Sequence, residues 1–266
     1  MKNDPATPAA AGVTWPQAVE VLNENGASPI VLICEHASNY IPAEYAGLGL
    51  DAAELTRHIA WDIGAAHVAR RLAELLNASA FLATYSRLLI DLNRPPGVRS
   101  SIPVRSEATD IPGNKDVSQA EREARTQRIF APFHAAVASH VEHRKHAGHR
   151  TVLIAVHSFT PTYLGTPRPW HVGLLFEKST NLAREIMTRL QRDPTLNVGA
   201  NVPYSVSPEG DYGLLVYGDN LGNPAVLIEI RQDLIANPAA ALSWADRLAP
   251  ILADAVSCSN LITREA

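Results

Sequence analysis

Two cysteines in 266 residues cannot build a disulfide framework. Cys34 lies inside an apolar run and Cys258 near the C-terminus, a pattern that fits a reducing compartment. No stretch approaches the roughly 20 apolar residues that cross a bilayer, and the opening MKNDPATPAAAGVTW lacks the continuous apolar run of a signal peptide. Basic charge is also scarce. Lys and Arg number 23 against 27 Asp and Glu, so no positive field argues for nucleic acid or an anionic membrane. There is no G-x-S-x-G nucleophile elbow, although Ser158 follows His157. A cytoplasmic protein with no nucleic-acid or membrane partner is expected, acting on a small neutral or acidic molecule.

What is present is hydrophobic sequence, 46% of the chain, enough for a large core. In PIVLICEHASNY (29–40), five apolar residues, Ile30 to Cys34, stop abruptly on Glu35 and His36. Such a run reads as a strand buried on both faces, as in a parallel sheet. The pattern recurs in TVLIAVHSF (151–159) and AVLIEIRQD (225–233). Open α/β sheets bind ligands outside the carboxyl ends of their strands, so three apolar strands ending in polar chemistry predict one shared site.

Along the rest of the chain, residues 1–14 are expected to form a mobile tail and 15–266 one domain. PQAVEVLN (16–23) is expected as a short helix and Asp51 to Asn77 as a long one, with Asp62 in its middle. SAFLAT (79–84) and the apolar part of YSRLLIDLNR (85–94) read as strands. Pro95 to Val117 is too long for an ordinary loop and is expected to wall a site. Ser118 followed by Glu121 predicts a capped helix to Gly148, with His134, His140, His143, His146 and His149 on a solvated end. HVGLLF (171–176) reads as strand, Thr180 to Arg192 as helix, and Asn237 to Ile262 as a closing helix.

His36 and His157, each at the end of an apolar strand, fit two ligands of a catalytic zinc, which takes three protein ligands from His, Asp and Glu. A lone histidine there also serves as a hydrogen-bonded structural residue. Glu229 offers a general base, or alternatively a partner for Arg231 two residues on. Arg94 presents a guanidinium fork suited to a substrate carboxylate.

The series CEHASN, HIAWDIGA, SRLLIDLNRP, VHSFTP and IEIRQDL resembles the N-formylglutamate amidohydrolase family over roughly residues 28 to 240. The family is related more distantly to zinc carboxypeptidases and aspartoacylase-type deacylases. The resemblance implies a three-layer αβα domain of the phosphorylase/hydrolase type around a mixed, largely parallel sheet. It implies metal-dependent hydrolysis of an N-acyl amino acid, with zinc or another divalent metal. His36 and His157 match metal ligands, Glu229 the catalytic glutamate, and Asn93 and Arg94 a carboxylate-binding pair. The carboxypeptidase-like relatives carry a glutamate ligand where Asn39 stands here, so the third ligand is taken as Asp62, with Glu35 as the alternative. A second arginine, from Arg87, Arg99 or Arg105, is expected to hold a glutamate side chain. Two other readings stand beside this: a deacylase of different specificity, and a non-catalytic binder of a small acidic metabolite.

Overall fold

The computed structural model describes residues 15–258; the tail expected over 1–14 and residues 259–262 of the expected closing helix lie outside them. Seven strands form the central sheet: β1 (Val19–Leu22), β2 (Ile30–Cys34), β3 (Ser79–Ala83), β4 (Val152–Phe159), β5 (Val172–Leu175), β6 (Val198–Ala200) and β7 (Ala225–Arg231). Their order is β1-β3-β2-β4-β7-β5-β6. β1 runs antiparallel to β3, and β5 antiparallel to β7; every other neighbouring pair is parallel.

The apolar runs explain the layering. Alternate residues of a strand face opposite sides, so Ile30, Leu32 and Cys34 enter one core while Val31 and Ile33 enter the other. The first core is covered by α1 (Ala65–Leu76), α4 (Thr180–Leu190) and α5 (Pro238–Ser257), through Leu72, Ile186, Leu248 and Leu252. The second is covered by α3 (Ala131–His146) with Phe133, Val137 and Val141, and by the turns that carry Leu88, Leu89 and Ile90. Each of these side chains, fully buried, contributes about 1.5–3 kcal/mol. The result is the three-layer α/β fold.

Several local expectations are corrected. Residues 16–23 are not helical: Val19 and Val21 are β-branched, and their segment pairs with Ala83 and Phe81 as an edge strand. The helix expected from Asp51 begins only at Ala65, because Gly64 adopts φ +82° and any Cβ there would collide with the Ile235 carbonyl. Asp62 therefore sits in the loop that enters α1. Residues 85–94 form hydrogen-bonded turns instead of a strand, with Leu89 N donating to Ser86 O and Arg94 N to Asp91 O.

The capped helix does form, as α2 (Gln119–Arg125), with Ser118 Oγ accepting from Glu121 N at 3.2 Å, and it runs through a π-helical turn into α3. His143, His146 and His149 are solvated as expected, but His134 is buried. Its Nε2 lies 2.9 Å from Leu92 O, a pure acceptor, so the proton is on Nε2; Nδ1 lies 2.9 Å from Tyr217 Oη. Burial pulls this imidazole down to about 4.

Candidate active site

The pleat and register of the parallel strands bring the site together. β4 and β7 pair with His157 opposite Glu229, and Glu35 and His36 follow the end of β2, which flanks β4 on its other side. Asp62 is drawn to the same edge: its N–H donates to His36 O at 2.9 Å, and its Oδ2 accepts from Ser158 N at 3.1 Å. His36, Asp62, His157 and Glu229 are all buried, 6% exposed at most. They line a cavity of about 470 Å³ together with Arg87, Asp91, Asn93 and Arg94.

His36, Asp62 and His157 each offer one ligand atom, all within 4.8 Å of one another. The Nδ1 atoms of both rings face Asp62 Oδ2, at 3.4 Å for His36 and 2.9 Å for His157. Each ring is backed by a carboxylate on its far nitrogen. His36 Nε2 meets Asp91 Oδ1 at 2.7 Å, and His157 Nε2 meets Glu35 Oε2 at 3.0 Å. Carboxylates in that position fix the tautomer and raise the basicity of metal-binding histidines. Glu35 thus stands behind His157, and Asn39 turns away to donate to Leu55 O at 2.9 Å.

The charges are those of a cation site. Burial raises the Asp62 carboxyl, but the His36 and His157 rings outweigh it and hold the group well below the usual carboxylate range. Asp91 behaves alike: burial opposes its charge, and Arg87, His36 and Arg94 together more than compensate. Glu35 also remains low, its burial outweighed by the hydrogen bond from His157 together with the charges of the His157 and His36 rings. Burial disfavours the charge on His157, yet contact with Asp62 and Glu35 raises it well above an ordinary imidazole. The fixed cation nearest these carboxylates is Arg87, paired with Asp91 at 2.6 and 3.0 Å and with Asp62 at 3.4 Å. His36 Nδ1 has no hydrogen-bond partner. A divalent cation fits this excess of buried negative charge and orphaned nitrogen, and the His₂Asp donor set is one that zinc accepts.

Glu229 differs from its neighbours. Its Oε2 is buried with no partner, and burial pushes the carboxyl up to about 8. The alternative pairing with Arg231 is not made, because Arg231 pairs with Asp233 at 2.8 Å.

Asn93 and Arg94 occupy a turn held from several sides. Asp91 Oδ1 accepts from Asn93 N at 2.9 Å. The Asn93 side chain accepts from Tyr212 N at 2.9 Å and donates to Asp211 Oδ1 at 3.4 Å. Arg94 Nη1 donates to the carbonyls of Asn93 and Gly210. Asp211 was not among the residues expected from the sequence, and 118 positions separate it from Asn93. Nothing local signals the contact. Asp91 carried a weak signal, as a carboxylate two residues before Asn93 in IDLNR.

Fold and side chains together define a three-layer α/β protein of hydrolase type, with a candidate metal centre at the carboxyl ends of its parallel strands. The model of the N-formylglutamate amidohydrolase family matches residues 28–236. The chain belongs to that family. The gene product Atu2144 from Agrobacterium tumefaciens is 40% identical in sequence, with a TM-score of 0.88 over 91% of this chain and 96% of its own. The N-formylglutamate amidohydrolase from Ralstonia eutropha JMP134, 19% identical, shares the fold with a TM-score of 0.70 over 91% of this chain and 98% of its own. No curated protein matches the chain significantly.

Proposed function

We propose that the protein is a zinc-dependent amidohydrolase that removes a formyl or other small acyl group from an N-acyl amino acid, with N-formyl-L-glutamate the leading substrate. The observation that carries the reading is the pairing, in one cavity, of the His36–Asp62–His157 group with a buried, partnerless Glu229. Zinc held by His36, Asp62 and His157 would supply a Lewis acid for the scissile carbonyl and lower the pKa of water.

The chain's own residues do the remainder. Glu229, with a carboxyl that titrates near 8, is suited to take a proton from water at Oε2 and return it to the leaving amine. Asp91 and Glu35 orient the two imidazoles. Arg94, set by Asn93 and Gly210 at the cavity wall, is assigned the substrate α-carboxylate, which a guanidinium grips with two parallel hydrogen bonds. Asn93 shapes that subsite by fixing Tyr212 and Asp211. Arg87 lines the cavity while balancing Asp62 and Asp91. No described helix is long and apolar enough to cross a membrane, and the free thiols of Cys34 and Cys258 suit the cytoplasm.

The test is amine release from N-formyl-L-glutamate and N-acetyl-L-glutamate by chelator-treated protein, before and after zinc is restored. Metal-dependent release is expected. Failure of the zinc-loaded protein to hydrolyse any N-acyl amino acid would reject the reading and favour a non-catalytic binder.

A further inference from the structure

A substrate with two carboxylates needs a second anion subsite, and the cavity offers few cations for it. Arg87 is committed to Asp62 and Asp91 in the cavity floor, and Arg94 has been assigned above to the α-carboxylate. Arg99 does not line the cavity. The remaining arginine is Arg105, carried by a short hairpin in which Arg105–Ser106 pairs with Thr109–Asp110. This hairpin forms part of the cavity wall, with Arg105, Ser106 and Glu107 lining it beside Ser100 and Pro103.

Two features make Arg105 suitable. Its contacts are weak and local: Asp110 at 3.4 Å, in an ion pair whose two side chains are 59% and 76% exposed, and the Ala108 carbonyl at 3.4 Å. Exposed pairs of that kind contribute little, so the guanidinium is free to exchange them for a ligand. Of the hairpin's two carboxylates, Asp110 is the exposed partner that Arg105 gives up, and Glu107, which lines the cavity, is already paired with Arg57 and faces His58 Nε2 at 3.5 Å. Arg57 in turn is fixed by Glu54 at 2.6 Å and by Thr109 Oγ1 at 2.9 Å, which ties the hairpin to the segment before Asp62. The wall is therefore held in place while Arg105 itself is left loosely bound.

We propose that Arg105 is the specificity-determining residue of the site, receiving the side-chain carboxylate of an acidic N-acyl amino acid at the wall of the cavity. The inference rests on the amidohydrolase reading above, which supplies the α-carboxylate and acyl ends of the same ligand. It selects N-acyl glutamate or aspartate over neutral N-acyl amino acids. Because the Arg105 side chain is 59% exposed, the contact separates the acidic substrate from its neutral isostere by about two- to fivefold.

The experiment compares N-formyl-L-glutamate with N-formyl-L-glutamine, which differ only at the distal group. The ratio of their kcat/KM values is measured for the wild type, Arg105→Gln, Arg105→Lys and Arg99→Gln. Binding of both ligands to the Glu229→Gln variant, alone and combined with Arg105→Gln, is titrated in parallel. Expected is a preference for the glutamate substrate, expressed in KM, that collapses in Arg105→Gln, recovers in part with Lys, and persists in Arg99→Gln. An unchanged ratio in Arg105→Gln, or no preference in the wild type, overturns the inference while leaving the amidohydrolase intact. If neither compound is hydrolysed, N-formyl-L-glutamate fails as the leading substrate. The binding titration then decides on Arg105 alone: charge-selective binding lost in Arg105→Gln supports it, and equal or absent binding of the two ligands overturns it.

Discussion

Replacing Asp91 by Ala tests how the centre is built. The Asp91 carboxylate accepts from His36 Nε2 at 2.7 Å, from Arg87 Nε and Nη2 at 3.0 and 2.6 Å, and from Asn93 N at 2.9 Å. Summing four charge-assisted bonds at about 1.5–3 kcal/mol each would overstate the loss, because the bonds share one charge. Arg87 also keeps Asp62 at 3.4 Å and leaves a quarter of its side chain in solvent. The appropriate scale is a buried ion pair with one partner removed, about 3–5 kcal/mol. Metal affinity should fall by about 10- to 100-fold, because the His36 ring loses the group that fixes its orientation. Urea unfolding of the metal-free protein reads the first effect, and competition with a chelator of known affinity reads the second. A stability change under about 1 kcal/mol together with unchanged metal affinity would refute the view that Asp91 is the hub of the site.

Three further outcomes are expected. Glu229→Gln should lower kcat by about 10²- to 10⁴-fold and leave metal stoichiometry unchanged, read by steady-state assay beside elemental analysis. Burial brings the His134 imidazole down to about 4 in the fold, from 6.5 for an unperturbed histidine. The unfolded chain therefore binds this proton first as pH falls. Stability held above pH 6.5 should decline towards pH 4 by about 3 kcal/mol at 1.36 kcal/mol per pKa unit, and His134→Gln should flatten that part of the profile in denaturant titrations. Gly64→Ala must place a Cβ at φ +82° against the Ile235 carbonyl; a loss of at least about 1–2 kcal/mol in thermal unfolding is expected, with weaker metal binding because Asp62 lies two residues before it.

The legible parts of the sequence were those in which burial on both faces leaves a continuous apolar run. Ile30–Cys34, Val152–Val156 and Ala225–Ile228 announce themselves this way, and their parallel pairing carries Glu35, His36, His157 and Glu229 to one sheet edge. Illegible parts were decided by tertiary contact. Val19–Leu22 is four residues long and becomes a strand only because β3 has a free edge. The apolar residues of 85–94 are buried as a strand's would be, yet contacts such as Asn114 Nδ2 to Leu88 O and Arg125 Nη1 to Leu89 O hold them in turns. Helical spacing continued through Asp51–Asn77, so the break depended on how closely Ile235 approaches Gly64. The carboxylates behind the histidines belong to the same class: which nitrogen of a ring faces inward is a matter of packing, invisible in CEHASN or IDLNR.

The measurement that bears most directly on the central claim is metal stoichiometry and affinity in the wild type and in His36→Ala, Asp62→Ala, His157→Ala and Glu35→Gln. The account predicts about one zinc per chain, lost in the first three variants. In Glu35→Gln zinc should be retained with about 10- to 100-fold weaker affinity, because Glu35 orients His157 without being a ligand. Full retention of zinc in Asp62→Ala, or its complete loss in Glu35→Gln, would contradict the account.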